Sequence, residues 1–189
     1  MSTASLRAEL RALRRALPAA SQHRNASAVA ARLTAADWLQ RSRCVAFYSA
    51  SDGELDPQPL LADCLRRGTT CLLPVVGAAH TLQWARYSAD SVLTANRYGI
   101  LEPAEPRHCQ PLASCDVVVV PLVGFDRNGQ RIGMGGGYYD RALATLSAAT
   151  TTVGLAHSNQ EIAKITPQTW DIPLHYIATE RELICAKPR

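Results

Sequence analysis

The run Gly133-Met134-Gly135-Gly136-Gly137 places four glycines in five positions, and Tyr138, Tyr139, Asp140 and Arg141 follow at once. Glycine reaches backbone angles closed to other residues and leaves its amide N–H uncovered, so several in a row before a helix form a concave nest for an anion. A helix start adds partial positive charge, and phosphate is the usual guest. A merely flexible or tightly turning loop is the plain alternative, but four glycines after the strongest strand of the chain favour phosphate. Two familiar glycine motifs do not fit. A Walker loop needs Gly-Lys-Ser/Thr, whereas Tyr138 follows Gly137, and the only lysines, Lys164 and Lys187, are far away in sequence. A dinucleotide fingerprint begun at Gly133 needs Gly or Ala at position 138, where tyrosine stands. Phosphate charge would then fall to backbone amides, arginine and a metal ion. Asp140, in the first helical turn, could ligate Mg²⁺ held on the phosphates, since that hard cation takes oxygen ligands and keeps several waters. It could equally oppose the helix dipole.

A second constellation is Ser51-Asp52-Gly53-Glu54-Leu55-Asp56-Pro57, in which Glu54 follows a short apolar run. In open α/β sheets ligands bind beyond the carboxyl ends of the strands, so this loop and the glycine loop can share one cleft. Alone, Glu54 also reads as a solvated loop carboxylate. Trp84 and Tyr139 read as core or as ligand-stacking rings with equal ease, and the five histidines form no metal-ligating spacing.

The elements that must position these residues follow from periodicity. Leu6, Leu10, Leu13 and Leu17 form a helical stripe ended by Pro18, with Arg7, Arg11, Arg14 and Arg15 as a basic edge beside it. A second helix is expected from Ser21 toward Trp38. Residues 43–50 read as a strand, and Asp56 as the N-cap of a helix with proline in its first position and Gly68 after its end. Residues 70–76 and 82–87 read as strands, 88–113 as an irregular connection, and 115–125 as a strand covered on both faces because its apolar run is continuous. A helix over 138–146 follows the glycines, then a strand over 151–157, and Tyr176-Ile177-Ala178-Thr179 is the last strand expected. Strands alternating with helices predict an α/β fold: a mostly parallel open sheet flanked by helices, a Rossmann-like three-layer sandwich, in one domain over 1–189.

Composition bounds the function. A chain of 189 residues with 47% hydrophobic content can bury a sizeable core. A net charge of +4 without a run of five like charges gives no footprint for duplex nucleic acid and suits small anions. Two lysines among twenty basic residues leave eighteen arginines. The six cysteines form no CxxC pair and read as buried free thiols of a reducing compartment, and no membrane span or secretion signal is evident. A cytoplasmic monomer that binds neither nucleic acid nor membrane is expected.

The run "VPLVGFDRNGQRIGMGGGYYDRAL" (120–143) resembles the 5-formyltetrahydrofolate cyclo-ligase family, and so do "SDGELDPQPL", "RYGILEP", "VGLAHSNQ" and "WDIPLHYIAT" elsewhere in the chain. The resemblance implies an ATP- and Mg²⁺-dependent enzyme that converts 5-formyltetrahydrofolate to 5,10-methenyltetrahydrofolate. It implies that Gly133, Met134, Gly135, Gly136, Gly137 and Tyr138 meet the ATP phosphates. Arg131 would lead into the loop, and Arg7 would reach across from the first helix. Asp140 and Asp171 become the metal ligands, and Glu54 the folate-binding carboxylate. Tyr139 and Trp84 would contact the substrate, with Arg131 and Tyr139 closest to the chemistry. The family's usual first-helix lysine falls on Thr3 if Arg7 is the equivalent arginine. In a register shifted by one turn, Arg7 takes the lysine's place and Arg11 becomes the arginine. Two rival readings are a phosphate-binding sugar-phosphate isomerase or CoA-transferase-like enzyme, and a non-catalytic nucleotide- or folate-binding module.

Overall fold

The computed structural model describes residues 3–106 and 108–186. The chain opens with helices α1 (Thr3–Arg15), α2 (Ala19–Thr34) and α3 (Asp37–Gln40), then runs through β1 (Cys44–Ala46), α4 (Gln58–Arg66), β2 (Thr70–Val76) and β3 (Leu82–Tyr87). A hairpin, β4 (Leu93–Ala95) and β5 (Leu101–Pro103), precedes β6 (Val117–Pro121), β7 (Gly124–Phe125) and β8 (Arg131–Ile132). Helix α5 (Tyr138–Leu143), β9 (Thr151–Leu155), β10 (Tyr176–Ala178) and β11 (Leu183–Cys185) complete it.

Seven strands form one sheet in the order β11-β10-β9-β6-β1-β2-β3. The five central strands are mutually parallel, and β3 and β11 run antiparallel at the two edges. Alternate side chains point to opposite faces of a strand. Val117 and Val119 of β6 accordingly join one apolar cluster, with Leu33 of α2 and Leu60 of α4, while Val118 and Val120 join the other, with Leu143 of α5 and Leu174. Both faces of β6 are therefore dry, which accounts for the unbroken apolar run in the sequence. The expected α/β sheet flanked by helices is the observed one.

The chain passes from β1 through α4 to β2 on one side, and from β6 through the glycine loop and α5 to β9 on the other. Since β1 and β6 are neighbours, the strand order reverses between them. A ligand crevice of an open α/β sheet forms at such a point.

Several boundaries differ from the expectations. Helix α2 starts at Ala19 and ends at Thr34, where the Gln40 side chain donates to the Thr34 carbonyl (3.0 Å) and α3 begins anew. Helix α4 starts at Gln58, one residue later than expected, with Pro57 as its N-cap, though Asp56 Oδ1 still accepts from Gln58 N (2.9 Å). The 43–50 run pairs only over β1, and α5 ends at Leu143. The 115–125 run breaks after Pro121, because the carbonyls of Leu122 and Val123 turn from the ladder to side-chain donors of Arg14 and Gln160. The supposedly irregular connection contains the β4–β5 hairpin, and β11 follows the strand taken as last. Four of the six cysteines are buried, whereas Cys109 and Cys185 are exposed, and all six are free.

At the middle of β9, a Cβ on Gly154 would lie 2.5 Å from Leu122 Cδ2, 2.8 Å from Leu174 Cδ1 and 3.0 Å from Ile177 Cδ1. Overpacking of this kind costs about 1–3 kcal/mol. Gly154→Val is expected to lower the free energy of unfolding by that amount, read by circular dichroism as a lower urea midpoint with an unchanged m-value; an unshifted midpoint would show that this layer can relax.

Candidate active site

Helix α1 lies over the carboxyl ends of the central strands and holds the loops that leave them. The loop after β1 makes a turn in which Glu54 N donates to Ser51 O (2.9 Å), with Asp52 (φ 52°) and Gly53 (φ 73°) both left-handed. Aspartate tolerates that conformation better than most residues. Three arginines of α1 hold its carboxylate: Arg11 Nε at 2.7 Å, Arg14 Nη2 at 2.9 Å, and Arg15. Arg14 is wholly buried and also donates to the Asp52 carbonyl (2.8 Å) and the Leu122 carbonyl (3.3 Å), tying the end of β1 to the end of β6. Burial by itself would raise the Asp52 carboxyl, but the hydrogen bonds from Arg11, Arg15 and Arg14 outweigh it and hold the group at about 2.

Glu54 sits behind this turn. Its Oε2 accepts from Ser51 N (3.1 Å), and its Oε1 lies 3.6 Å from Arg14 Nη2. Burial pushes its carboxyl up to about 7, against the pull of Arg14. Neighbours of Glu54, including Ser51, Asp52 and Asp56, line a cavity of about 450 Å³ whose far wall includes Tyr87, Leu93 and Leu101. The Glu54 carboxylate itself is turned back toward Ser51 and does not line it. His157, at the end of β9, is buried, bonds Asn25 through Nδ1 (2.9 Å), and is held below its usual range by burial.

The glycine loop joins β8 to α5. Of its four glycines, Gly135 (φ 94°) and Gly137 (φ 68°) occupy left-handed angles, and Gly137 is the N-cap of α5. Arginines from three segments surround the loop. Arg7 of α1 donates from Nε to Gly133 O (2.7 Å). Arg141 of α5 donates to Gly136 O (2.7 Å) and to His80 O. Arg97, at the tip of the β4–β5 hairpin, donates to the Tyr138 hydroxyl (3.0 Å). A fourth, Arg131, pairs with Asp140. Arg7, Arg97 and Arg141 thus contact neutral oxygens, and among the described residues none of the three has a carboxylate partner. Among the described residues, two buried donors beside the loop, Arg131 Nε and Tyr139 Oη, have no hydrogen-bond partner. Desolvation, followed by the nearby Glu54 charge, keeps the Tyr139 phenol well above its ordinary range, so it stays protonated.

These positions sort the residues expected from the sequence. Arg7, Arg131, Gly133, Gly135, Gly136, Gly137, Tyr138, Tyr139 and Asp140 come together, with Met134 half-exposed at the loop's tip. Arg7 is the arginine of α1 that meets the loop, whereas Arg11 is engaged by Asp52. Trp84 belongs to the core: it is 3% exposed and packs edge-on to the Tyr139 ring at 6.2 Å, so it backs the site rather than facing a ligand. Asp171 closes a local turn by accepting from Gln168 N (2.7 Å), while Asp140 pairs with Arg131. Among the described residues no group of three or more His, Cys, Asp or Glu is placed to hold a metal ion, so Asp140 and Asp171 do not form a ready-made cage. The conspicuous Phe125-Asp126 pair proves structural. Buried Asp126 accepts from Asn128 N, Gln130 N and Ile165 N, shaping the turn that leads to Arg131. Arg14, Arg97, Tyr98 and Arg141 were not singled out as site residues, because only the folded topology shows what they reach.

Taken together, the fold and the cleft define an α/β protein that brings an arginine-rimmed glycine loop close to a buried carboxylate beside a cavity of about 450 Å³. Residues 1–180 match the 5-formyltetrahydrofolate cyclo-ligase family. The chain is 39% identical over 174 residues to a 5-formyltetrahydrofolate cyclo-ligase of Escherichia coli strain K12, covering 90% of this chain and 96% of that one. It is 32% identical over 173 residues to the Haemophilus influenzae protein of that name, covering 89% and 92%. Its structure superposes on the NMR structure of Aquifex aeolicus 5,10-methenyltetrahydrofolate synthetase with a TM-score of 0.88 and 29% identity, over 100% of this chain and 95% of that one. The chain belongs to the 5-formyltetrahydrofolate cyclo-ligase family, a family of enzymes.

The Glu54 carboxyl gives a test that needs no ligand. A carboxyl raised from 4.5 to about 7 keeps its proton in the folded state while the unfolded chain releases it, so its contribution to stability falls as pH rises through that window. From pH 5 to 7 the wild type should lose on the order of 2 kcal/mol relative to Glu54→Gln. Parallel denaturant titrations of both proteins read that difference; a constant gap would place Glu54 in an ordinary solvated setting.

Proposed function

We propose that this enzyme uses ATP and Mg²⁺ to convert 5-formyltetrahydrofolate to 5,10-methenyltetrahydrofolate, releasing ADP and phosphate. The observation that carries the reading is the convergence on the glycine loop of three arginines that, among the described residues, meet only neutral oxygens, Arg7, Arg97 and Arg141, beside two unsatisfied donor atoms, Tyr139 Oη and the Nε of the Asp140-paired Arg131. Such a surplus suits the charge of a triphosphate, and the left-handed angles of Gly135 and Gly137 are of the kind that builds an amide nest for an anion.

A formamide oxygen is a poor leaving group. In the proposed reaction the formyl oxygen attacks the γ-phosphorus and ADP departs. N10 then attacks the formyl carbon and loses its proton, and the C–O bond breaks to release phosphate. Phosphoryl transfer needs positioning and charge neutralisation more than covalent help, which fits a site without a nucleophilic side chain. Arg7 and the loop amides would bind the phosphates, and Arg131 and the Tyr139 hydroxyl would orient the transferring group. Glu54 would accept from the pterin N–H edge after leaving Ser51 N, a charge-assisted pair that fixes orientation. A pocket carboxyl near neutrality makes that step favour the alkaline side of 7. Mg²⁺ would neutralise phosphate charge. The residues fit it through Asp140, because such sites use one or two carboxylates plus phosphate oxygens and water; Asp171 would join only by leaving its turn with Gln168.

The test is absorbance of methenyltetrahydrofolate formed with and without ATP, alongside ADP release. One ADP per product, with neither formed when 5-formyltetrahydrofolate or ATP is omitted, is expected. Phosphate-ester isomerisation or acyl-CoA exchange without ATP turnover would favour the rival enzymes, and binding without turnover the non-catalytic module. Asp140→Asn is expected to keep its fold, lose about a hundredfold in turnover, and need more Mg²⁺ for half-maximal rate. Near-normal activity at limiting Mg²⁺ would leave Asp140 as a partner of Arg131 and the helix dipole only.

A further inference from the structure

The β4–β5 hairpin touches both halves of the cleft. Its strand residues Leu93 and Leu101 line the cavity next to Ser51 and Asp56. Its tip meets the first residue of α5, where the Tyr98 hydroxyl lies 2.8 Å from the Tyr138 hydroxyl and the two rings meet edge-on at 6.2 Å. The tip is rigid. Asn96 Oδ1 accepts from Tyr98 N (2.9 Å) and Ile100 N (3.2 Å), while Glu102 Oε2 accepts from Asn96 Nδ2 (2.9 Å) and from Val76 N at the end of β2 (3.0 Å). One carboxylate therefore anchors the turn to the central sheet.

Arg97 rides on this tip. Its guanidinium lies 5.1 Å from the centroid of the Tyr98 ring and donates to one neutral acceptor, the Tyr138 hydroxyl. Glu102, the carboxylate of its own hairpin, is occupied by Asn96 and Val76. A guanidinium bonded to a phenol leaves most of its five donors unused, and a bidentate pair with phosphate is roughly twice as strong per bond. The other cations around the loop are committed differently: Arg7 and Arg141 brace its carbonyls, and Arg131 is neutralised by Asp140.

We propose that Arg97 is a nucleotide-binding residue, which exchanges the Tyr138 hydroxyl for a phosphate of ATP and so delivers, from the hairpin that also walls the substrate cavity, a cation this loop lacks in lysine form. The proposal rests on the ATP-dependent reading above. It makes the hairpin the shared wall between the two substrates, and Arg97 the charge at their junction.

The experiment compares wild type, Arg97→Gln, Arg97→Lys and Tyr98→Phe by steady-state kinetics in both substrates, and by competition with inorganic tripolyphosphate. Arg97→Gln should raise the KM for ATP about tenfold or more and weaken tripolyphosphate inhibition in proportion, as expected for loss of a charge-assisted contact. The KM for 5-formyltetrahydrofolate and the melting temperature should stay close to wild type. Arg97→Lys should recover part of the loss, because charge remains and the fork does not. Tyr98→Phe, which removes a hairpin-docking hydroxyl and keeps the cation, should leave the ATP KM near wild type. An unchanged ATP KM in Arg97→Gln overturns the proposal, as does an equal rise in both KM values, or an equal loss in Tyr98→Phe, either of which would mark a docking role. Failure of wild type to bind or consume ATP would instead overturn the functional reading beneath it.

Discussion

The architecture of the cleft depends on one buried arginine. Arg14 has no exposed surface, yet it carries a full charge, and such a group is tolerated only when its donors are met. Asp52, through both carboxylate and carbonyl, and Leu122 meet them, so the loop after β1, the end of β6 and helix α1 share a single polar junction. Breaking a buried pair of this kind by removing one partner costs about 3–5 kcal/mol, which makes the junction a constraint rather than an ornament. Because α1 is fixed there, its other residues have fixed targets. Arg7 lies seven residues earlier, about 10 Å along the axis, and from that distance it reaches Gly133. One helix thereby spans the carboxylate turn and the glycine loop and holds them in the same cleft.

Charge is divided along that helix. At its carboxyl end three arginines converge on Asp52, whose depressed carboxyl stays ionised, and the adjacent Glu54 is left in a dry setting that favours its neutral form. Near its amino end, Arg7 joins two further arginines on carbonyl and phenol oxygens, beside two buried donors that have no partner among the described residues. The first cluster is complete as it stands; the second is short of negative charge. Anion binding at the loop would discharge that imbalance, while the Arg14 junction keeps its geometry with or without a guest.

Much of this was legible in the sequence, and the exceptions have physical reasons. The four central valines of β6 announced a strand covered on both faces, and the glycines after it announced a loop at the carboxyl edge of the sheet. The contact of Arg7 with that loop fits its spacing within the leucine stripe of α1. What stayed hidden depended on distant partners. The break after Pro121 comes from side chains of Arg14 and Gln160 competing for carbonyls, which no local pattern encodes. The β4–β5 pair is three residues per strand and carries weak periodicity, so Arg97 and Tyr98 were concealed in an apparent connection. Trp84 misled in the opposite sense: its ring type suggested a ligand, but its strand alternates it into the core, where it supports Tyr139.

In the proposed reaction one cleft, set by α1 at the strand-order reversal between β1 and β6, would receive both substrates. The most direct measurement is a crystal structure of the protein with Mg²⁺, a non-hydrolysable ATP analogue and 5-formyltetrahydrofolate. Phosphate oxygens are expected on the amides of Gly135 to Gly137, within hydrogen-bond reach of Arg7. The pterin is expected in the cavity beside Ser51 and Asp56, with Glu54 turned from Ser51 N toward it. Phosphates bound away from the glycine loop, or a pterin outside that cavity with Glu54 still closed on Ser51, would contradict it.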